Sequence, residues 1–166
     1  MRPDIAFALS QITTFSACPE DQHVQALKHI CVYLNSTWKL WLAYGTSTTA
    51  DTDKSNVSIG YSDADGMSNP DQRSVSGYIY MINQGAVSWS SKQQTIVTLS
   101  TTEAKYNALT HAAKEGIWIR SFISKIFSRK ASPMLLYTDN KEAASIAYRD
   151  KFHTRTKHIN IKFHFI

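Results

Sequence analysis

The sequence has little cysteine, proline and glycine: two, four and six residues respectively among 166. The two cysteines, Cys18 and Cys31, are too few for a disulfide-stapled scaffold, which favours a reducing, intracellular environment. No apolar run approaches the roughly 18 residues of a membrane span. The first residues, MRPDIAFALSQ, are too short and too polar for a signal peptide. These absences predict a globular protein with no membrane partner.

The residues that are present suffice for one packed domain. Apolar side chains make up 43% of the chain, and a length of 166 residues corresponds to about one domain, with or without an appendage. The formal net charge is +5. A mild excess of positive charge is compatible with a polyanionic partner such as nucleic acid.

A polar spacer, GTSTTADTDKSN, divides the chain at residues 45–56. Residues 1–44 contain two patterns with helical spacing, RPDIAFALSQITTF and a stretch that begins at Pro19, followed by KLWLAY, which has the pattern of a strand. Residues 57–166 show the order strand, strand, strand, helix, strand, helix. This order predicts an α/β protein of the α+β kind, with a mixed sheet and a small helical appendage at its N-terminal side.

The strands of the predicted sheet are VSIGYSD, SGYIYMI, GAVSWSS and MLLYTD. The sequence Asn83-Gln84-Gly85 predicts a tight turn between the second and the third strand. A long helix is predicted over STTEAKYNALTHAAKEGIWIRSFISKIF and a short one over NKEAASIAY. The apolar residues of the long helix fall on one stripe: Ala104, Ala108, Ala112, Ile119, Phe122 and Ile126.

Two strands of this sheet end in aspartate. Asp63 ends the first strand and Asp139 the fourth, so the two carboxylates would stand side by side if these strands are neighbours. Glu103 lies in the first turn of the long helix, which would bring it over them. Clustered carboxylates repel one another unless cations neutralise them, and hard oxygen ligands favour Mg²⁺ or Mn²⁺. Two such ions can support phosphodiester hydrolysis.

Each acid also has a purely structural interpretation. Asp63 and Asp65 could form a turn. Glu103 fits a capping box with Ser100, and the Asp-Asn pair at 139–140 could cap the short helix that follows. Each acid taken alone is explained at least as well by these roles, and only the joint arrangement favours a metal site.

The run from GYSDADG to AKYNAL resembles the ribonuclease H domain of copia-type retrotransposon polyproteins. The motifs SWSSKQQ, LSTTEA and RTKHI are specific in combination, and LYTDNKEAASIA and FHTRTKHINIKFHFI are similar to the late motifs of that family. The first 44 residues resemble the region that connects the family's reverse transcriptase to this domain. The resemblance therefore covers nearly the whole chain.

This resemblance implies a ribonuclease H-like fold that cleaves the RNA strand of an RNA–DNA hybrid with two Mg²⁺ or Mn²⁺ ions. By motif, Asp63, Glu103 and Asp139 match the first three catalytic and metal-binding acids, with Asp63 bridging both ions. The implied partners are the hybrid and the remainder of the retrotransposon polyprotein, without a small-molecule cofactor. The implied location is a cytoplasmic virus-like particle or the nucleus.

The chain also departs from the family's pattern. The fourth acid of the family follows one further strand, whereas this sequence ends at KFHFI, so we expect a C-terminally truncated domain with weak or absent catalysis. The alternatives are a catalytically inactive nucleic-acid-binding or interaction remnant, a structural remnant, or a transposase or integrase. The last class would place its essential glutamate after the second strand-borne aspartate, whereas Glu103 lies between Asp63 and Asp139.

Candidate substrate-binding residues come from three places: the turns and strands around SWSSKQQ and DQRSVSGY, the motif YTDN, and the basic, aromatic tail. Such groups can contact phosphates or the 2′-hydroxyls of RNA, although ordinary hairpin turns and a solvated basic face explain them as well. The candidates are Arg73, Ser74, Ser90, Lys92, Gln93, Asn140, Arg155 and Lys157.

Overall fold

The structure is a computed structural model that describes residues 1–45, 58–65, 73–128 and 131–148. Arg155 and Lys157, with the rest of the basic tail, lie outside the described residues. A 3-10 helix, Pro3–Ile5, precedes the helices and strands. These are, in chain order, α1 (Ala6–Thr13), α2 (Asp21–Ser36), β1 (Ile59–Ala64), β2 (Val75–Ile82), β3 (Gly85–Gln93), α3 (Thr101–Ile126), β4 (Leu135–Thr138) and α4 (Lys141–Tyr148).

The four strands form one mixed sheet in the order β3-β2-β1-β4. β2 pairs antiparallel with both β1 and β3, whereas β4 pairs parallel with β1. The first and fourth strands are therefore neighbours, as the sequence analysis supposed, and the α+β class with a mixed sheet is confirmed. Parallel pairing brings the carboxyl ends of β1 and β4 to the same edge of the sheet.

The turn between β2 and β3 is where the sequence predicts it. Asn83 and Gln84 both have positive φ angles, 50° and 66°. Positive φ at both central residues is the type I′ geometry, whose twist matches that of the flanking strands. Asparagine tolerates this region better than most residues do, which is why the Asn-Gln pair can turn the chain here.

Helix α3 covers one side of the sheet, here called the inner face. Ala104 and Ala108 cluster with Ala64 of β1, and all three are almost fully buried. The small side chains allow the helix to approach the strands closely. The phenol of Tyr80 completes this interface: it is 1% exposed, and its hydroxyl donates a hydrogen bond of 2.7 Å to the Ala112 carbonyl of α3.

The predicted apolar stripe of α3 is buried only as far as Ile119. Phe122 and Ile126 are exposed, and the ring of Phe122 stacks on that of Trp118. At 1.5 Å per residue, the 26 residues of α3 make a helix of about 39 Å, whereas the longest strand, β3, has nine residues and spans about 30 Å. A helix longer than the strands that it covers leaves part of its apolar stripe without a partner in the sheet.

The prediction of a strand over residues 39–44 is wrong, because residues 40–45 adopt no regular secondary structure. This segment lies beside the β2–β3 hairpin through two contacts. The Tyr44 hydroxyl donates to the Ala86 carbonyl at 2.7 Å, and the Gly45 amide donates to the Asn83 carbonyl at 3.0 Å. One side-chain hydrogen bond and one backbone hydrogen bond hold this segment against the hairpin, without a ladder of strand hydrogen bonds.

The two predicted N-terminal helices are present with shifted starts. The first is split into a 3-10 turn and α1, and the second begins at Asp21 and not at Pro19. α1 packs against β3, where the Ser10 and Ser91 hydroxyls lie 3.1 Å apart. The N-terminal segment thus covers part of the other side of the sheet, here called the outer face.

Candidate active site

The parallel register of β1 and β4 sets two aspartates side by side. Ser62 pairs with Thr138, and the next residues along the two strands are Asp63 and Asp139. Both carboxylates are open to solvent, with side-chain exposures of 69% and 63%. The structure therefore brings together two of the three acids that the sequence predicts as catalytic.

A lysine from α3 lies between the two aspartates. The Lys105 ammonium is 3.1 Å from Asp63 Oδ1, and it also donates to Asp139 Oδ2. The hydrogen bond to Asp139 raises the pKa of Lys105, and the contact with Asp63 raises it further against the opposing effect of desolvation. The lysine is therefore positively charged at neutral pH and neutralises part of the negative charge of the pair.

Glu103, the third predicted acid, is directed toward the start of its own helix. Its Oε2 accepts a hydrogen bond of 2.8 Å from the Leu99 amide, and its own amide donates to Ser100 Oγ at 3.1 Å. The bond to Ser100 Oγ is one half of the predicted capping box, and the Glu103 carboxylate holds the amide of the residue before Ser100. Within residues 1–45, 58–65, 73–128 and 131–148, no three His, Cys, Asp or Glu side chains gather as a metal site.

Asp65 has a structural role at the open end of the β1–β2 pair. Its amide donates to the Val75 carbonyl at 3.1 Å, and its Oδ1 accepts from the Val75 amide at 2.6 Å. Asp65 thereby extends the pairing of the two strands by one residue, with a carboxylate oxygen in the place of a backbone carbonyl.

The two aspartates fit a divalent cation in part. Their carboxylates already converge on a single positive charge, the Lys105 ammonium, so both could reach one metal ion at that place. Mg²⁺ prefers about six oxygen ligands and commonly keeps several waters, so two carboxylates can suffice as the protein's share. A second ion would require a further acid such as Glu103 to leave its helix cap.

The predicted substrate-binding residues separate into two groups. Arg73 and Lys92 are exposed, and they line one open groove of about 770 Å³ together with Gln93. Ser90 lines a neighbouring groove that also contains the two aspartates. Ser74 does not fit the prediction: it is fully buried, so its hydroxyl cannot reach a substrate.

The groove that contains the aspartates runs over the outer face of the sheet beside α1. Its volume is about 690 Å³, and its floor includes the rings of Tyr61 and Tyr137, whose centroids are 5.5 Å apart. Both tyrosines are about half exposed. Stacked, accessible aromatic rings next to a charged site are suited to contact with nucleobases or sugars.

Asn140 caps α4, since its Oδ1 accepts a hydrogen bond of 2.7 Å from the Ala143 amide. We expect Asn140→Ala to lower the free energy of unfolding by about 1 kcal/mol through loss of this cap, and Asn140→Ser to retain most of it. Urea denaturation of both variants measures the difference. Equal losses in both would contradict the capping role and favour a role that needs the amide itself.

Lys105 is the residue that sequence reasoning missed. The sequence feature that could have identified it is a basic residue two positions after Glu103, on a helix predicted to lie over two aspartates at strand ends. Residues at i and i+2 do not share a helix face. Because Glu103 is held in the helix cap, Lys105 faces the sheet edge and Glu103 does not.

None of the helices within the described residues is both long enough and apolar enough to cross a membrane.

No protein-family model matches the chain, and no solved structure matches it.

Similar proteins are found among transposon polyproteins. Over 99% of its length the chain is 37% identical to the retrovirus-related Pol polyprotein from transposon TNT 1-94 of Nicotiana tabacum, and 36% identical to that from transposon RE1 of Arabidopsis thaliana. It spans only 12% and 11% of those proteins. It is also 41% identical, over 71% of its length, to a secreted RxLR effector protein of Plasmopara viticola, of which it covers 80%. The chain therefore belongs to the same family as the Plasmopara viticola protein, most of which it covers, and it is similar over nearly its whole length to a segment of the retrovirus-related Pol polyproteins of plant transposons.

Proposed function

We propose that this segment of a retroelement polyprotein is a ribonuclease that cuts the RNA strand of an RNA–DNA hybrid. One observation carries the proposal: the parallel register of β1 and β4 holds Asp63 and Asp139 around a single cationic centre at the sheet edge. These residues belong to the motifs YSDAD and YTDN, on which the resemblance to ribonuclease H domains rests.

The two aspartates would hold the metal through their exposed oxygens. Divalent ions held there would activate a water and would stabilise the oxygen that leaves the phosphorus atom. Hydrolysis forms a bond from the water oxygen to phosphorus and breaks the P–O3′ bond, which leaves a 3′-hydroxyl and a 5′-phosphate. Glu103 contributes a third carboxylate if it releases the Leu99 amide, and Lys105 must give up its contacts with the aspartates.

The surface next to the aspartates is suited to a nucleic-acid backbone. The grooves that contain Asp63 and Lys92 share Trp89 and Ser91 in their linings, so the acidic and the basic positions lie on one continuous surface. Arg73 and Lys92 can neutralise phosphates, which supplies affinity without sequence preference. Hydroxyl and amide groups of Ser90 and Gln93 are able to contact the 2′-hydroxyls that distinguish RNA from DNA.

A catalytically inactive hybrid-binding module is the second candidate. The observation that favours it is the occupation of the aspartate pair by Lys105 while Glu103 is held in the helix cap. Such a module retains the basic groove but has no activated water. The remainder of the polyprotein is the proposed partner in either case.

The deciding experiment incubates the folded protein with an end-labelled RNA–DNA hybrid, with and without Mg²⁺ or Mn²⁺. We expect metal-dependent cleavage of the RNA strand, reduced at least about 100-fold by Asp63→Asn because a metal ligand is lost. Asp21→Asn, at the exposed start of α2, is the matched control and is expected to retain activity.

Binding of the hybrid without cleavage would contradict the nuclease proposal and identify the inactive module. Cleavage or strand joining of a DNA duplex in place of the hybrid would identify a transposase- or integrase-like enzyme. A folded protein that neither binds nor cleaves would be a structural remnant.

A further inference from the structure

We propose that Lys105 is an internal counter-cation that occupies the divalent-cation position of the Asp63–Asp139 pair, so that metal binds only by displacing it. The inference rests on the proposed function, because it takes the two aspartates to be metal ligands. It assigns to this chain a built-in competitor for its own metal site.

The contacts of Lys105 are those of a bridging cation. Its ammonium lies within 3.1 Å of Asp63 Oδ1 and also contacts Asp139 Oδ2, so one charge serves two carboxylates from different strands. The lysine side chain is only 19% exposed, whereas the carboxylates are 69% and 63% exposed. The ammonium therefore reaches the pair from the helix side, and the pair remains open to an ion arriving from solvent.

The helix geometry explains why a lysine occupies this place. Successive residues of an α-helix are rotated by about 100°, so the side chains at positions 103 and 105 leave the axis in directions about 160° apart. The cap contacts of Glu103 with Leu99 and Ser100 fix the orientation of the first turn. With Glu103 held there, Lys105 faces the edge at which β1 and β4 end.

Charge balance makes the lysine and the metal mutually exclusive. Two carboxylates and one ammonium leave one net negative charge, whereas two carboxylates and one divalent ion leave none. A divalent ion placed beside a retained ammonium would be repelled by it at a few ångströms. Metal binding must therefore break both lysine contacts, and this requirement lowers the affinity of the site.

The lysine also stabilises the metal-free protein. Asp63 and Asp139 are adjacent like charges, and like charges on neighbouring strands destabilise a sheet. The Lys105 ammonium removes this repulsion when no metal is present. Replacing Lys105 should therefore strengthen metal binding and weaken the metal-free fold together, and these opposite changes are the signature of a counter-cation.

The test measures Mn²⁺ binding to the full chain by the electron paramagnetic resonance signal of free Mn²⁺, without a nucleic-acid substrate. Lys105→Met keeps most of the aliphatic stem and removes the charge. We expect it to bind Mn²⁺ about tenfold more tightly than the unaltered chain, which corresponds to about 1.4 kcal/mol. Lys125→Met, an exposed position near the end of the same helix, is the matched control and is expected to change the affinity less than twofold.

Thermal unfolding provides the second measurement. Metal-free Lys105→Met is expected to melt at a lower temperature than the unaltered chain and to gain more from saturating Mn²⁺. Asp63→Asn combined with Lys105→Met should lose both the tighter binding and the metal-dependent gain.

Three outcomes separate this inference from the proposed function. Equal Mn²⁺ affinity in the unaltered chain and Lys105→Met, with loss in Asp63→Asn, would overturn the role of Lys105 and leave the metal site intact. Weaker binding in Lys105→Met would also overturn it, because the lysine would then support the site. Absence of Mn²⁺ binding in every folded variant would overturn both the counter-cation role and the metal-dependent nuclease.

Discussion

Replacing Gly60 or Gly116 by alanine is expected to lower the free energy of unfolding by roughly 1–3 kcal/mol, because each added methyl group would enter the space of one buried phenol. A Cβ atom at Gly60 would lie 2.4 Å from Tyr80 Cε1, and one at Gly116 would lie 2.5 Å from the Tyr80 hydroxyl oxygen. Alanine in a helix normally gains up to about 1 kcal/mol over glycine. A loss at Gly116, in the middle of α3, would therefore be diagnostic of the clash.

Tyr80 cannot move aside to accommodate either methyl group. Its ring lies between β1 and α3, it is 1% exposed, and its hydroxyl is held by the Ala112 carbonyl. Rotation of the ring away from Gly60 would break this hydrogen bond in a place that water does not reach. The two glycines and the tyrosine therefore form one packing unit across the interface of helix and sheet.

Urea denaturation of the two variants beside Gly77→Ala measures the effect. A Cβ at Gly77 would meet only ordinary contacts of 3.8 and 4.0 Å, so this strand position is the control and is expected to change stability by less than about 0.5 kcal/mol. A second test adds Tyr80→Phe to each variant. Removal of the hydroxyl relieves the contact at Gly116, but it leaves the ring contact at Gly60.

The expected result is a large coupling energy between Tyr80→Phe and Gly116→Ala and a small one with Gly60→Ala. Equal stability of Gly60→Ala and Gly77→Ala would contradict the packing unit.

The second large effect is expected at alkaline pH. Burial, together with a smaller contribution from the negative charge of Glu115, raises the pKa of Tyr80 to about 12. The ordinary value for tyrosine is about 10, so the folded state holds this proton more tightly than the unfolded chain does. The contribution to stability is complete below pH 10 and is lost as the pH rises from 10 to 12. The loss amounts to roughly 2–3 kcal/mol over that interval.

Urea denaturation at pH 9, 10 and 11 provides the measurement. Tyr80→Phe is expected to be less stable at pH 9, because it loses a buried hydrogen bond, and to lose less stability as the pH rises. Tyr78 and Tyr106 also have raised pKa values, mainly through burial, so part of the alkaline loss should persist. Tyr148→Phe, at a position 90% exposed, is the control. Parallel pH profiles for Tyr80→Phe and the unaltered chain would contradict the assignment.

The sheet and the aspartate pair were predictable because their signals are local. Alternating apolar residues define β1, and a strand that ends in Asp63 needs only a parallel neighbour ending in Asp139 to form a pair. The Asn83-Gln84 turn is likewise determined by two adjacent residues. Each of these predictions depended on a few neighbouring positions and on one assumption, the adjacency of the first and fourth strands.

The features that sequence reasoning missed depend on how distant elements meet. Whether Glu103 or Lys105 faces the aspartates is decided by the rotation of α3 about its axis, which a helical pattern alone does not fix. The end of the buried stripe before Phe122 depends on the length of the sheet beneath the helix. The segment at Trp41 and Tyr44 has a strand's composition, but it meets the hairpin beside a turn, where one tyrosine side chain holds it.

The parallel pairing of β1 and β4 also determines when the site can exist during folding. Three consecutive strands, β1, β2 and β3, can pair through contacts between nearby parts of the chain. In contrast, β4 is separated from β1 along the chain by the hairpin and the whole of α3. Contacts between such distant parts of the chain are slow to form, because a long loop must close first. Asp63 and Lys105 can meet before β4 is in place, so the lysine has a partner early. The second carboxylate arrives with β4, so the proposed divalent-ion site is expected to form only after this slow pairing of distant strands.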